Sequence, residues 1–401
     1  MANSLSAASP LLWSRISGRK RFKSVVYKSL ASSEEQATLT LGVSVDRPYR
    51  SNLVVEDYTT GGTASVQDIT ATSDKLTINK QKDIFIFIDA VDKLQNKYDL
   101  AQVNAEEMGK RMAIAIDAEF LYEAINANNT IDAGDMGGTA GTGLTLSTSN
   151  VGSVFAKINR KLDAQNVPAD QRFLALSPQF REVLWNYVQG KESIFGDKSG
   201  EYGQIGMFGG LELYLTNNLT ASAVATPAVA PTANDTITIG GVVFTFVDAI
   251  GTTAGNVLVN GGTVAQVITR LTTLINAPGT TTSTGVAFSG ADLRTVQNMV
   301  AVDGTTILTV YQKGVSYMTV ASSAANIVWS KKKQHNLAGA KNAIDVVVQK
   351  YPDVSTAPGT SNGKAGTYFM ALEVFGVKTF NQGKNEIVNV VLDTSDTTLF
   401  S

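Results

Sequence analysis

Between Asp92 and Ala127 apolar side chains return every three to five residues: Leu94, Tyr98, Ala101, Ala105, Met108, Met112, Ala115, Phe120 and Ala124. Asp, Glu, Lys and Arg fill most of the opposite positions. That period is the helical one, and it predicts a single unbroken helix. At about 1.5 Å per residue such a helix runs roughly 50 Å, more than a compact domain ordinarily needs. A rod of that length suits a subunit shaped for contact with neighbours better than one shaped around a pocket.

The pattern is different on either side of the rod. Residues 1–50 read as an arm, with a short helical candidate from Leu11 to Arg21 and strand-like alternation over Ala37–Val45. Ser51–Val91 has the character of a long hairpin: Gly61-Gly62 punctuates it, polar residues alternate with Val66, Ile69, Leu76 and Ile78, and Ile84–Ile88 is a dense β run. An isolated two-stranded ribbon is marginal in water, so this one must lean on something, and another subunit is a natural support.

After the rod, a Gly- and Thr-rich loop, Asn128–Asn150, leads to a helix over Val151–Gln165 with Ser149 and Asn150 as caps. Phe173–Leu176 reads as a buried strand, Ser177-Pro178 opens a helix through Val188, and Leu211–Thr216 alternates as a strand. At Ala221 the composition shifts. Residues 221–230 are Ala, Val, Pro, Thr and Ser, a linker signature, and the next hundred residues carry few charges. Within them Thr236–Phe246 reads as a hairpin turning on Gly240-Gly241, Thr263–Ala277 as an amphipathic helix, and Thr306–Gln312 and Tyr317–Ala321 as strands. A small domain inserted into a host is the simplest account, with mixed α+β character returning at Lys331. The remainder reads as a helix from Asn336 to Tyr351, a loop with Pro358, Gly359, Gly363 and Gly366, and a strand-rich finish over Thr367–Leu392.

Composition narrows the function classes. The chain has 401 residues, enough for two or three domains, and no apolar run of about eighteen residues that could span a bilayer. The brief Leu11-Leu12-Trp13 cluster is followed, not preceded, by basic residues, which argues against a cleaved secretion signal. There is no Cys, so disulfides, thiolate zinc sites and Cys nucleophiles are out. The formal charge of −2 conceals an asymmetry: Arg15, Arg19, Lys20, Arg21, Lys23 and Lys28 all precede the first acidic residue, Glu34. Such an arm could neutralise nucleic-acid phosphates without sequence preference, grip an acidic surface on a partner, or remain a solvated tail.

Candidate chemistry is thin. Gly203, Gly206, Gly209 and Gly210 lack the preceding strand and following helix of a phosphate loop. Ser17-Gly18-Arg19-Lys20 has a Ser-x-x-Lys spacing without its companion elements. Asp132 and Asp135 fall short of a calcium loop's ligand count, and the single His335 beside Lys331, Lys332 and Lys333 reads as a surface residue. Glu106 and Glu107 point about 100° apart on a helix, so they form a solvated or interface edge with Lys110 and Arg111 rather than an acid–base pair. No catalytic residue, cofactor site or metal site is assigned, although a hydrolase with an unrecognised Ser or Asp centre stays as the alternative from a different class.

The order of parts resembles the major capsid (coat) protein of tailed bacteriophages, the Hong Kong 97-like fold. The local matches are Asn96-Lys97-Tyr98-Asp99-Leu100 entering the long helix, Val167-Pro168-Ala169-Asp170-Gln171-Arg172 leading to Leu176-Ser177-Pro178, Gly203–Gly210 leading into Leu211–Asn218, and Phe375-Gly376-Val377-Lys378. It is most similar to coat proteins that carry an extra domain in their central region. The resemblance implies an α+β capsid fold with a spine helix and an extended β-hairpin loop, plus a β-rich insert. Residues 1–50 would be the N-terminal arm, 51–91 the extended loop, 92–128 with 367–401 the peripheral domain, 129–220 with 332–366 the axial domain, and 221–331 the inserted domain. The insert, through Thr236–Gly241 and Leu274–Ala277, is also similar to small β-rich modules of other virion proteins.

The function implied is self-assembly into an icosahedral head shell, as hexamers and pentamers, around double-stranded DNA. Implied partners are a separate scaffolding protein, since no coiled-coil extension is fused here, a portal, a decoration protein on the insert, and packaged DNA through non-specific contacts; no membrane is involved. The location implied is the virion, assembled in the host cytoplasm. Expected assembly contacts are Arg15, Arg19, Lys20, Arg21, Lys75, Lys80, Lys82, Glu106, Glu107, Lys110 and Arg111. Some members of the family join Lys to Asn between subunits, and Lys75, Lys80, Lys82 with Asn381, Asn385 or Asn389 match by residue type alone. A tail or baseplate protein and a nanocompartment shell protein are the nearest structural alternatives.

Overall fold

The computed structural model describes residues 22–37, 42–58, 60–62, 66–95, 100–189, 206–323, 326–359, 363 and 365–395. The strands are β1 (Ser44–Arg50), β2 (Ala71–Thr77), β3 (Lys80–Asp89), β4 (Asn129–Ile131), β5 (Arg172–Leu176), β6 (Met207–Phe208), β7 (Leu211–Leu215), β8 (Thr220–Pro227), β9 (Thr236–Ile239), β10 (Val242–Val247), β11 (Asn256–Leu258), β12 (Met299–Asp303), β13 (Leu308–Lys313), β14 (Val320–Ser322), β15 (Ile327–Ala340), β16 (Asp345–Pro358), β17 (Gly366–Lys378) and β18 (Ile387–Asp393). The helices that organise them are α1 (Tyr27–Leu30), α2 (Ala90–Gln95), α3 (Leu100–Tyr122), α4 (Val151–Ala164) and α5 (Pro178–Gln189).

The predicted rod is described as two pieces, α2 and α3, with residues 96–99 outside the described set. The 23 residues of α3 span about 35 Å. Met108, Met112, Phe120 and Ala124 are buried as their spacing requires, whereas Leu94 on α2 is 90% exposed. Beneath α3 lies the antiparallel sheet β16-β17-β3. Met108 and Met112 pack on Phe369 and Ala371, flanked by Ile84, Ile86 and Ile88 of β3. Gly366 is required where β17 starts: its φ is +155°, and a Cβ there would overlap the carbonyl oxygen of Ile88.

The long hairpin is divided. β1 and β2 pair antiparallel around the segment 51–70, while β3 leaves to pair with β17. The first strand begins at Ser44, later than the alternation over Ala37–Val45 predicts, because the register with β2 selects its span; residues 38–41 lie outside the described set.

A nine-stranded sheet forms the second layer, in the order β12-β13-β8-β15-β5-β7-β6, with β18 paired to β15 and β4 paired to β18. α4 and α5 cover it, with Val154, Phe155, Ile158, Leu162, Phe180 and Leu184 against Leu174, Leu176, Val388 and Val390. Each such buried side chain contributes about 1.5–3 kcal/mol relative to exposure. Ser177 Oγ accepts from Phe180 N at 3.1 Å and caps α5. Asn150 occupies the N-cap of α4 without a capping bond, because its side chain closes the preceding turn onto Ser147 N and Thr145 O.

Two expectations fail here. Residues 336–351 are not helical: Leu337–Ala340 belongs to β15, and Asp345–Tyr351 to β16. Leu337, Ala340, Ile344 and Val347 follow helical spacing, but they lie in a nearly continuous apolar run that a buried strand also accepts, and pairing with β18, β5 and β17 decides it. Asn342, at φ 68°, turns the chain between the two strands.

Residues 221–227 are not a linker either. They lie in β8, between β13 and β15, and Ala221, Ala223 and Ala225 are buried against the insert's core. Small side chains there serve close packing of a central strand. The cuts drawn at 221 and 331 thus fall inside β8 and β15, strands shared by host and insert.

Within the insert, β9 and β10 turn on Gly240 and Gly241, both at positive φ. A Thr263–Gln266 capping box starts the helix Val264–Asn276, whose Val267, Ile268, Leu271, Leu274 and Ile275 are buried.

Candidate assembly surface

Segment 51–70 is the least buried apolar part of the described chain. Leu53, Val54, Tyr58, Val66 and Ile69 are exposed, and Val55 is 97% exposed. The two limbs are nevertheless held together: the Gln67 carboxamide bonds the N–H and C=O of Val54 at 3.0 and 2.6 Å, and Ser51 N donates to Thr70 O at 2.8 Å. The result is a ribbon whose apolar side chains find no cover among the described residues. Clustered exposure of this kind marks an interaction surface.

Its root is fixed. Leu76 and Ile78 are buried with Val347 and Phe380. Arg47 of β1 pairs with Glu35 at 2.7 Å and Asp345 at 3.3 Å, and its guanidinium lies 4.0 Å from the centre of the Phe380 ring. Burial raises the Asp345 carboxyl above its ordinary pKa, and Arg47 opposes that rise. Lys378 adds a 3.2 Å pair to Asp74. The ribbon therefore projects from a rigid base.

The spine helix carries the other expected contacts. Glu106–Lys110 and Glu107–Arg111 form i,i+4 pairs at 3.9 and 2.8 Å along its outer side, with Lys110 5.1 Å from the Phe22 ring centre. Exposed pairs of this type contribute a few tenths of a kcal/mol, so the edge stays available to a partner. Lys75 is exposed on β2. Arg15, Arg19, Lys20 and Arg21 lie outside the described residues. So does the Ser17–Lys20 motif, and Gly203 with it.

Lys80 and Lys82 are turned inward instead. Both approach Glu119 of α3, at 3.5 and 3.9 Å, and Lys313 of the insert reaches the same carboxylate at 2.7 Å. Burial alone would raise the Glu119 pKa, but Lys313 and then Lys80 overcome it and hold the carboxyl below its ordinary value. Of the three asparagines, Asn385 accepts from Asn128 at 2.7 Å, Asn389 is buried, and Asn381 is exposed.

Sequence reasoning missed the buried polar positions. Asp117 accepts from Val26 N and Tyr27 N, both at 2.8 Å, and from Asn218 at 3.0 Å, fastening the arm's α1 to the spine. Glu373 of β17 is 0% exposed, and neither carboxyl oxygen has a partner among the described residues. Burial pushes its pKa up to about 8, against the pull of Lys82. The signal available was local: Asp117, Glu119 and Glu373 each interrupt a run of apolar residues.

His335 is not on the surface. It is buried in β15, with Nε2 2.9 Å from Ser222 Oγ and Nδ1 3.2 Å from Asn389 Oδ1. Because Oδ1 can only accept, Nδ1 carries the proton and Nε2 accepts from the Ser222 hydroxyl. Burial lowers its pKa to about 4, so it is a neutral structural bridge between β8, β15 and β18.

Asp132 accepts from the N–H groups of Gly134 and Gly141, and Asp135 pairs with Lys161 at 2.8 Å, which makes this loop self-satisfied. Gly209 and Gly210 turn β6 into β7. Among the described residues no group of three His, Asp or Glu side chains is placed to hold a metal, and no helix is long and apolar enough to cross a membrane.

No family model and no curated relative matches the chain. Solved structures do match over nearly its whole length. One from Mycobacterium phage Che8 superposes with a TM-score of 0.59, covering 95% of this chain and 96% of its own at 14% identity. The capsid structure of cyanophage P-SCSP1u gives 0.53, covering 97% and 94% at 13% identity. The capsid asymmetric unit of cyanophage Pam1 gives 0.51, covering 98% and 99% at 9% identity. Likeness at these identities is likeness of fold.

Proposed function

We propose that this chain, which has the Hong Kong 97-like α+β fold of tailed-phage capsid subunits, is a major capsid protein that self-assembles into an icosahedral shell around double-stranded DNA. The observation that carries the proposal is the ribbon within 51–70, apolar and uncovered among the described residues, on a base locked by Arg47. Its exposed groups are satisfied when a neighbouring subunit covers them. Each such contact is small, and repetition around a closed shell makes the assembly strong.

In this proposal residues 1–50 serve as arm, 51–91 as extended loop, 92–128 with 367–401 as peripheral domain, 129–220 with 332–366 as axial domain, and 221–331 as insert. Subunits group as hexamers and pentamers in the virion, after assembly in the host cytoplasm with a separate scaffolding protein and a portal. Arg15, Arg19, Lys20 and Arg21 supply non-specific contact with DNA, scaffold or a neighbour. Glu106, Glu107, Lys110, Arg111 and Lys75 face adjoining subunits, and the insert offers a surface to a decoration protein. Catalysis has no part in this proposal.

The test is expression with and without a candidate scaffolding protein, followed by sedimentation and negative-stain electron microscopy. Closed shells of uniform diameter are expected. Tubes or stacked rings would favour a tail component, and a monodisperse monomer or dimer under all conditions would end the capsid proposal.

A further inference from the structure

We propose that the cleft where β3, α3 and the insert meet is a binding site for a small phosphate-class oxyanion. The cleft encloses about 400 Å3, opens to solvent, and is lined by Lys80 and Lys82 of β3, Glu119 of α3 and Lys313 of the insert, with Gln81 and Gln297 at its walls. That volume lies within the roughly 300–1,000 Å3 range of small-molecule sites.

The charges do not balance. Three ammonium groups converge on one carboxylate, at 2.7 Å from Lys313, 3.5 Å from Lys80 and 3.9 Å from Lys82. Only the Lys313 contact is a well-formed hydrogen bond; the other two are too long, so the N–H donors of Lys80 and Lys82 remain to be used. Two further carboxyls stand close. Asp83 lines the same cleft, but strand alternation places it on the opposite side of β3 from Lys80 and Lys82, at the rim. Glu373, opposite Lys82 in the register, is held protonated by burial at neutral pH. The lysines' side of the cleft thus carries two positive charges in excess of Glu119.

Burial lowers the Lys313 pKa, and Lys80 and Lys82 lower it further against the pull of Glu119, so the excess charge costs the fold stability while the cleft is empty. An oxyanion with several acceptor oxygens would pair with Lys80 and Lys82 at once, as charge-assisted hydrogen bonds favour. The side chain of Gln297 makes no hydrogen bond among the described residues, and its amide group is free to donate; Gln81, like Asp83, stands at the rim. Occupancy would tie the loop root, the spine and the insert together through one ligand, a consequence independent of shell assembly.

The experiment is isothermal titration of sodium pyrophosphate into the full-length unassembled subunit at pH 7 and constant ionic strength. Saturable binding with one site per chain is expected. Lys80→Gln with Lys82→Gln should weaken it about tenfold or more, while Lys350→Gln, an exposed lysine on β16, should leave it unchanged. Lys82→Gln alone keeps the Lys313–Glu119 pair and should weaken binding in the same direction, which covers the case of a double variant that fails to fold. Competition by a short DNA duplex would identify backbone phosphates as the natural source; the absence of competition would identify a free anion. Absence of saturable binding in the natural sequence, or equal affinity in the lysine variants, would overturn the proposal.

Discussion

Replacing Glu373 by Gln should make the protein's stability less sensitive to alkaline pH. The carboxyl sits on the helix-facing side of β17 between Ala371 and Phe375, fully buried and without a hydrogen-bond partner among the described residues. Its pKa rises from the ordinary value of 4.5 to about 8, chiefly by burial. Between those values the unfolded chain has released the proton and the folded chain has kept it, so stability falls as pH rises across that window. Each pH unit inside the window contributes about 1.4 kcal/mol.

From pH 6 to pH 9 the natural protein should therefore lose about 3 kcal/mol that the Gln variant does not, since the side chain at 373 then has no charge to acquire. At pH 5–6 the two should differ by little more than about 1–2 kcal/mol, the cost of exchanging one unsatisfied polar group for another. The assay is urea unfolding of unassembled subunits at five pH values from 5 to 9, read as the variant-minus-natural difference so that other titrating groups cancel. A difference that stays flat across this range would refute the argument. It would mean that Glu373 finds a partner or solvent and titrates as an ordinary carboxyl.

Three further outcomes are expected. His335→Gln should flatten the acid limb: the depressed histidine pKa of about 4 means that stability is lost as pH falls from about 6.5 towards 4, by about 3 kcal/mol in full, measurable by the same differential unfolding. Arg47→Ala should destabilise the subunit by about 1–3 kcal/mol and speed proteolysis within 51–70, because Asp345 loses its cation and Phe380 its cover. Val55→Asp should leave subunit unfolding within about 0.5 kcal/mol of the natural protein, as the side chain is solvent-exposed, yet abolish shells by electron microscopy; normal shells would remove the ribbon from the assembly argument.

The parts legible in the sequence were those whose pattern is local. α4, α5 and the helix Val264–Asn276 each repeat apolar residues at helical spacing beside a recognisable start, and Gly240-Gly241 marks its hairpin. Residues 337–348 were misread because an apolar run of that length fits two periods, and only long-range pairing chooses between them. Ala221–Thr226 looked like a linker because a central strand packed against a crowded core has the same small residues as a flexible joint. The Glu119–Lys313 pair joins residues 194 apart, and Asp117 reaches 91 residues back to Val26, distances at which composition carries no information. His335 was placed on the surface by its lysine neighbours, although β15 runs from partly exposed residues 331–333 into a stretch, 334–339, that is buried on both faces.

The sharing of β8 and β15 between host and insert bears on how such subunits acquire new parts. The chain enters the insert along one strand and returns along the adjacent antiparallel strand, with Ser222 opposite Lys333 and Thr220 opposite His335. To the host sheet, everything between those positions is equivalent to the turn of a hairpin. Any module whose ends emerge one strand spacing apart, about 4.8 Å, meets that boundary condition. The position is thus a socket: its contents can be exchanged, enlarged or reduced to a few residues while the host strands keep their register.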